Sequence, residues 1–187
     1  MTLNMIIGPM FSGKSSELLH RIRMDRMMGK QTMIISHSLD KRYSEEHVVT
    51  HNKDKERCIS VSSLSPLLSS PEFLQADSVF IEEGQFFDDI SEFVHIAVDF
   101  YSKSLTIAAL DGNSKREPFR NITDLIAFAD DVKRYTALCM LCKNGTRAPF
   151  SFCHKQSNMN TESNILVGAE NFYQSVCRVH YLQLEKL

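Results

Sequence analysis

An α/β fold is predicted, a parallel sheet flanked by helices with a small C-terminal subdomain after it, and three observations predict it. Short β-type runs alternate with helical patterns over residues 1–136, as in sheets whose crossovers are helices. A glycine-bearing octapeptide lies between the first of these strands and the first helix. From Cys139 onward the pattern breaks into short strands and loops rich in Asn and Ser.

The elements follow in order. Met5-Ile6-Ile7 reads as the first strand, and residues 15–28 have the composition of a helix, with Gly29 where a C-terminal cap is expected. Residues 31–36, 79–81 and 104–110 read as three further strands. Between the last two, Ile90, Phe93, Val94, Ala97 and Val98 recur at helical spacing and would pack one face on the sheet. Asp88 and Asp89 would lie in the first turn of that helix, where its dipole favours them. Residues 43–57 are polar and charged without clear period and read as an exposed hairpin or mobile loop. A boundary near Thr136 then separates a main unit, 1–136, from a subdomain, 137–187, and no internal repeat interrupts either.

A chain of 187 residues with 43% hydrophobic content can bury a substantial core. With Lys+Arg 21 against Asp+Glu 23 the formal net charge is -2, which lacks the basic excess that non-specific nucleic-acid binding draws on. Apolar stretches are short and interrupted by charge, so neither a membrane span nor a signal peptide is expected, and the protein is read as cytoplasmic. In a reducing cytosol the 5 cysteines are free thiols or metal ligands rather than disulfides. Asn121 and Asn144 head Asn-x-Thr triplets, read as chance matches in an unsecreted chain.

The octapeptide Gly8-Pro9-Met10-Phe11-Ser12-Gly13-Lys14-Ser15 is a complete G-x-x-x-x-G-K-[ST] phosphate loop, or P-loop, in the strand-to-helix context its mechanism requires. Its backbone N–H groups and the helix N-terminus would cradle the phosphates of ATP. Lys14 would supply a point charge and the Ser15 hydroxyl a ligand for Mg²⁺. The third strand ends in Glu82-Glu83-Gly84-Gln85-Phe86-Phe87, at the edge of a parallel sheet where the P-loop also opens. Alternating side-chain direction would send the two carboxylates to different places, Glu82 to magnesium and Glu83 to the acceptor's proton. Phe86 and Phe87 read either as core or as the wall of a planar pocket.

Cys139-x-x-Cys142 and Cys177-x-x-His180 have zinc-ligand spacing and together make a Cys₃His set suited to a closed, structural zinc site. The long stretch between the pairs would then be a loop clamped at its base and able to fold over a ligand. A redox pair at Cys139 and Cys142, or buried thiols with an incidental histidine, are the alternatives. Cys58 and Cys153 have no partner at ligand spacing and read as ordinary thiols.

These residues resemble the zinc-containing thymidine kinases of animals, bacteria and large DNA viruses. The resemblance runs through Gly8 to Ser15 with Ser16-Glu17-Leu18, Asp40-Lys41-Arg42-Tyr43, Thr50-His51, Glu83-Gly84-Gln85-Phe86-Phe87-Asp88-Asp89-Ile90, Ala108-Ala109-Leu110-Asp111-Gly112, Pro118-Phe119, Thr136-Ala137-Leu138-Cys139-Met140 and Tyr173-Gln174-Ser175-Val176-Cys177-Arg178. It implies that Glu83 is the catalytic base toward the 5′-hydroxyl, while the P-loop, Asp40, Lys41, Arg42, Glu82, Gly84 and Gln85 surround the triphosphate. It implies that Met10, Phe86, Leu110 and Phe119, with Ser114 and Ser151 counted beside them, line the base pocket. A lasso-like loop of Asn164, Ile165, Leu166, Val167 and Gly168, with Tyr173, would close over the nucleoside, and a homotetramer is implied. Four departures stand out: Glu82 where the family usually has Asp, Ser114 where it usually has an aromatic, Cys153 at a position that is usually basic, and Ala169 for the second glycine of the lasso.

The expected reaction is transfer of the γ-phosphate of ATP, with Mg²⁺, to the 5′-hydroxyl of thymidine or deoxyuridine, without nucleic-acid or membrane partners. Two rivals stay open on sequence: another P-loop nucleoside or nucleotide kinase or ATPase with a structural zinc, and a zinc-ribbon nucleic-acid-binding ATPase.

Overall fold

Parallel strands need long crossovers, and this chain supplies them between runs apolar enough to be buried on both faces. The structure, a computed structural model, describes residues 1–39, 47–49, 55–154 and 172–186. Strand β1 (Thr2–Ile7) leads into α1 (Lys14–Met27) and β2 (Thr32–His37). A short antiparallel hairpin, β3 (His47–Val49) with β4 (Lys55–Arg57), precedes β5 (Ile59–Val61). Then come α2 (Pro71–Gln75), β6 (Ser78–Ile81), α3 (Ile90–His95), β7 (Ser104–Ala109), α4 (Arg120–Thr123) and β8 (Asp131–Arg134).

The main sheet has the order β5-β2-β6-β7-β1-β8, and all of its ladders are parallel. The four strands expected from sequence are its four central ones. The two edges, β5 and β8, were not expected: each is short, and β8, Asp131-Val132-Lys133-Arg134, carries one apolar residue. One face of the sheet places Ile6, Ile34, Phe80 and Ala108 under Leu18, Leu19 and Ile22 of α1. The other places Met5, Ile35, Val79 and Ile107 under Phe73, Phe93, Val94 and Ile122. Alternation along each strand divides its side chains between the two layers.

Helix boundaries follow local chemistry. Helix α1 ends as expected: Gly29 takes φ 78°, its N–H donates to Arg26 O at 2.9 Å, and Lys30 N donates to Asp25 O at 3.1 Å, a Schellman-type closure. In α3, Ile90, Phe93 and Val94 are fully buried, and Ala97 and Val98 stay inward as the helix widens over Ile96–Phe100. The expectation for Asp89 needs correction, because α3 begins at Ile90 and the Asp89 side chain does not serve its own helix. Its Oδ2 accepts from Ser63 Oγ at 2.6 Å and from Leu64 N, Ser65 N and Ser65 Oγ, each at 2.8 Å, closing the turn after β5.

The C-terminal region is built from two short antiparallel pairs and a helix. Strand β9 (Ala137–Leu138) pairs β10 (Arg147–Ala148), β11 (Phe150–Cys153) pairs β12 (Tyr173–Val176), and α5 (Arg178–Leu184) follows. Its own apolar cluster joins Ala137, Ala148, Phe152, Val176 and Tyr181 around the cysteines, and Phe11 of the P-loop packs against it. Among the described residues no helix is long and apolar enough to cross a membrane.

The Asp89 knot gives a pH-dependent test. Burial disfavours its charge, but the donors of Ser63, Ser65 and Leu64 outweigh that and hold its pKa below the ordinary value. A carboxylate with a lowered folded pKa stabilises above its unfolded pKa and loses that contribution as pH falls through the folded value. Asp89→Asn is therefore expected to lower Tm at neutral pH, with the gap to the unmodified protein closing below about pH 4. A gap that stays constant as the pH falls well below about 4 would show that the carboxylate charge contributes nothing.

Candidate active site and metal knot

The P-loop leaves the C-terminal end of β1 through Gly8, at φ 147°, where an added Cβ would lie 2.5 Å from Tyr135 O. Only glycine meets both the backbone angle and that approach. Phe11, at φ 63°, turns toward the C-terminal cluster, which folds the loop back to start α1 at Lys14. Lys14 is buried, and its Nζ donates to Pro9 O at 2.8 Å, so the ammonium lies within the curve of the loop. Ser12 Oγ donates to the same carbonyl at 2.7 Å. The Ser15 hydroxyl donates to Glu82 Oε1.

That contact joins the two residues expected to share magnesium. Glu82 is 5% exposed and directly follows β6. Glu83 is separated from it by a turn rather than by strand alternation: β6 ends at Ile81, and Glu83 takes the left-handed conformation, φ 52° and ψ 44°, ahead of a tight turn over Gly84–Phe86. Gln85 is 6% exposed and has both ends of its carboxamide engaged. Its Nε2 donates to Glu83 Oε2 at 2.5 Å, and its Oε1 accepts from Leu110 N at 2.9 Å. Gln85, expected beside the triphosphate, thus joins the candidate base to the residue that follows β7.

Sequence reasoning missed Asn121. From α4 its Nδ2 donates to both Gln85 O and Phe87 O at 3.1 Å, pinning the turn that carries Glu83. Its Asn-x-Thr context gave no hint of this. Also unforeseen was the joint between β11 and the P-loop, where Met10 N donates to Ser151 Oγ at 2.9 Å.

The expected base-pocket residues divide. Phe87 is fully buried core, whereas Phe86 is half-buried with the His37 ring 5.8 Å away. Leu110 directly follows β7 beside Gln85, and Phe119 is half-buried against the core. Ser114 lies on the loop between them, its carbonyl held by Tyr181 of α5. Tyr173 opens β12, opposite Cys153. A cavity of about 130 Å³ beside Pro9, Asp111, Arg116, Arg134 and Ser151 shares only Pro9 and Ser151 with the expected residues. Asp40, Lys41, Arg42, Asn164, Ile165, Leu166, Val167, Gly168 and Ala169 lie outside the described residues.

Cys139, Cys142, Cys177 and His180 converge, with their ligand atoms all within 4.8 Å of one another. His180 Nδ1 stands 3.4 Å from the sulfurs of Cys139 and Cys142 and 3.3 Å from that of Cys177, and the Cys142 and Cys177 sulfurs are 3.8 Å apart. Tetrahedral zinc bonds would separate sulfurs by about 3.8 Å and sulfur from nitrogen by about 3.5 Å. The donor set fits. Burial opposes the Cys139 thiolate, but backbone N–H groups of Cys177, Cys142 and Leu141 bring its pKa down to about 6, which favours the thiolate form that a metal binds. Desolvation and the neighbouring thiols push Cys142 the other way. Cys58 and Cys153 are buried and stand outside this cluster.

A complete P-loop at the edge of a parallel sheet, an acidic strand end facing it and a Cys₃His knot together define an α/β phosphate-binding protein with a small metal-tied subdomain. Comparison with known proteins narrows the class. The family model described as Thymidine kinase matches residues 1–181. A thymidine kinase of Oryza sativa subsp. japonica is 38% identical over 184 residues, covering 96% of this chain and 66% of the rice protein. The thymidine kinase of Yaba monkey tumor virus is 38% identical over 183 residues, 97% of this chain and 95% of the relative. That of Monkeypox virus is 38% identical over 181 residues, 96% of each. The chain belongs to the thymidine kinase family.

Purified protein is expected to carry about one zinc per chain by elemental analysis, and Cys142→Ser to lose it together with several degrees of Tm. A metal-free protein with unchanged Tm would show that the four side chains hold together without an ion.

Proposed function

We propose that this protein transfers the γ-phosphate of ATP to the 5′-hydroxyl of thymidine, with deoxyuridine as a second acceptor. What supports the reading is family membership combined with one sheet edge. That edge carries the Lys14 loop, the Ser15–Glu82 contact and, one residue on, the Glu83 carboxylate held by Gln85. The P-loop N–H groups bind the phosphates, and Lys14 balances charge that moves toward the β–γ bridge as that bond breaks. Mg²⁺ would neutralise phosphate charge here, and the oxygen donors Ser15 and Glu82 are the residues to hold it, directly or through water. As the 5′-oxygen bonds to phosphorus, Glu83 accepts its proton and ADP leaves.

Gln85 gives Glu83 a fixed direction, because its donor end is set by the grip of Leu110 N on its acceptor end. Met10, Phe86, Leu110, Ser114, Phe119, Ser151 and Tyr173 are proposed around the base, with Asn164, Ile165, Leu166, Val167 and Gly168 closing over it. Asp40, Lys41, Arg42, Gly84 and Gln85 are proposed near the triphosphate. Residues 137–187 act as the zinc-tied carrier of the lasso. A cytoplasmic homotetramer is part of the same proposal, and the exposed Met24 and Met27 of α1, with Met28 just after it, are apolar surface that a second copy would cover.

Glu83→Gln is expected to lower kcat about 10²–10⁴-fold while ATP affinity, read by calorimetry, stays within a few-fold. Retention of most turnover would remove Glu83 from the role of base.

A further inference from the structure

The loop between β7 and α4 joins Leu110 to Phe119, two residues proposed above for the base pocket, and its own sequence, Asp111-Gly112-Asn113-Ser114-Lys115-Arg116-Glu117-Pro118, contains no aromatic or aliphatic anchor. It is nevertheless closely held. Gly112 and Pro118 bridge across its neck, and Asn113 Oδ1 accepts from Lys115 N at 2.9 Å and Glu117 N at 3.0 Å, shaping the tip. Internal bonds define its shape but do not fix where it stands relative to the site. That requires a contact from outside.

Tyr181 supplies one. It lies on α5, next to the knot residue His180, and is 1% exposed. Its ring packs 5.5 Å from that of Phe150 and 5.7 Å from that of Phe152, so β11 fixes where the hydroxyl points. That hydroxyl donates to Ser114 O at 2.7 Å. The Arg116 guanidinium covers the same ring at 4.1 Å and reaches Glu185 of the C-terminal segment at 3.3 Å. Arg116 is held at φ 65°, a left-handed backbone unfavourable for a side chain of this kind, and its stacked guanidinium is a compensating contact.

We propose that Tyr181 is a positioning residue for the nucleoside: through the Ser114 carbonyl it sets the stance of the 111–118 loop against the base pocket that Leu110 and Phe119 flank. The metal knot thereby acts on the base pocket from a side other than its lasso. Ser114 matters through its backbone, so a small side chain is sufficient there. The proposal rests on the thymidine kinase reading for its substrate, but the staple itself is independent of it.

Tyr181→Phe keeps the ring, its packing and the Arg116 stack and deletes the single donor. Hydrogen–deuterium exchange without ligands is expected to rise over 111–118 and to stay unchanged over 1–13. Thymidine KM is expected to rise about fivefold, the factor that one net hydrogen bond corresponds to. ATP KM, kcat and zinc content should stay within twofold. Unchanged exchange over 111–118 overturns the staple, whatever the substrate. Raised exchange with unchanged thymidine KM overturns its role in positioning, as does a parallel rise in both KM values. If the unmodified protein fails to phosphorylate thymidine, the substrate reading falls, and the exchange result still decides the staple.

Discussion

The contact on which the site depends is the seat of the P-loop between the parallel sheet and the metal knot. Phosphate cradles need a backbone held in an uncommon shape before any anion arrives, and here two different surfaces hold it. Gly8 lies against Tyr135 O on the sheet side, closer than any Cβ would allow. On the other side Phe11 packs into the cysteine-bearing cluster and Met10 N is bonded to Ser151. Strand alternation in β11 makes this possible: Phe150 and Phe152 face Tyr181, and Ser151 between them faces the loop. The knot therefore contributes to the shape of the nucleotide site as well as to its own fold.

Legibility in the sequence tracked how local each signal is. The four central strands were visible because burial on both faces requires continuous apolar runs such as Met33-Ile34-Ile35 and Ser78-Val79-Phe80-Ile81. Edge strands carry no such requirement. Strand β8 needs only Val132 inward, and its place comes from the ladder with β1, which no local pattern announces. The knot was legible because each ligand pair is local in sequence, and only the meeting of the pairs needed three dimensions. The joints that matter most to the site were invisible for the same reason: Met10 and Ser151 are 141 positions apart, and Ser114 and Tyr181 are 67. Asn121 gave no sign of its role because an amide's task is set by what stands opposite it.

Asp89 shows how a correct local rule can be overruled. An acidic residue before an apolar helical pattern is favoured by the helix dipole, and Asp89 stands at that position. Four donors from residues 63–65 nonetheless outcompete the helix terminus, because direct hydrogen bonds to a carboxylate are stronger than its interaction with a partial charge at the helix end. The gain is long-range order: the turn after β5 is fixed to the start of α3, on the layer that buries Phe93.

The separation of the two carboxylates has a steric origin in the residue that follows them. Gly84 packs where an added Cβ would stand 2.7 Å from Ile107 Cγ2 and 3.0 Å from Ile90 Cδ1, so the chain leaves β6 pressed against the core. A chain that must turn so tightly cannot continue the strand through Glu83, and the left-handed conformation at that residue is the result, at an expected cost of about 1 kcal/mol. Gln85, within the turn, and Asn121, from α4, hold it in place. Glu82 is thus left buried against Ser15, while Glu83 is presented half-exposed and braced by an amide. A strand continued without the turn would have left their separation to alternation alone; the glycine makes it a property of the backbone, which the core then holds rigid.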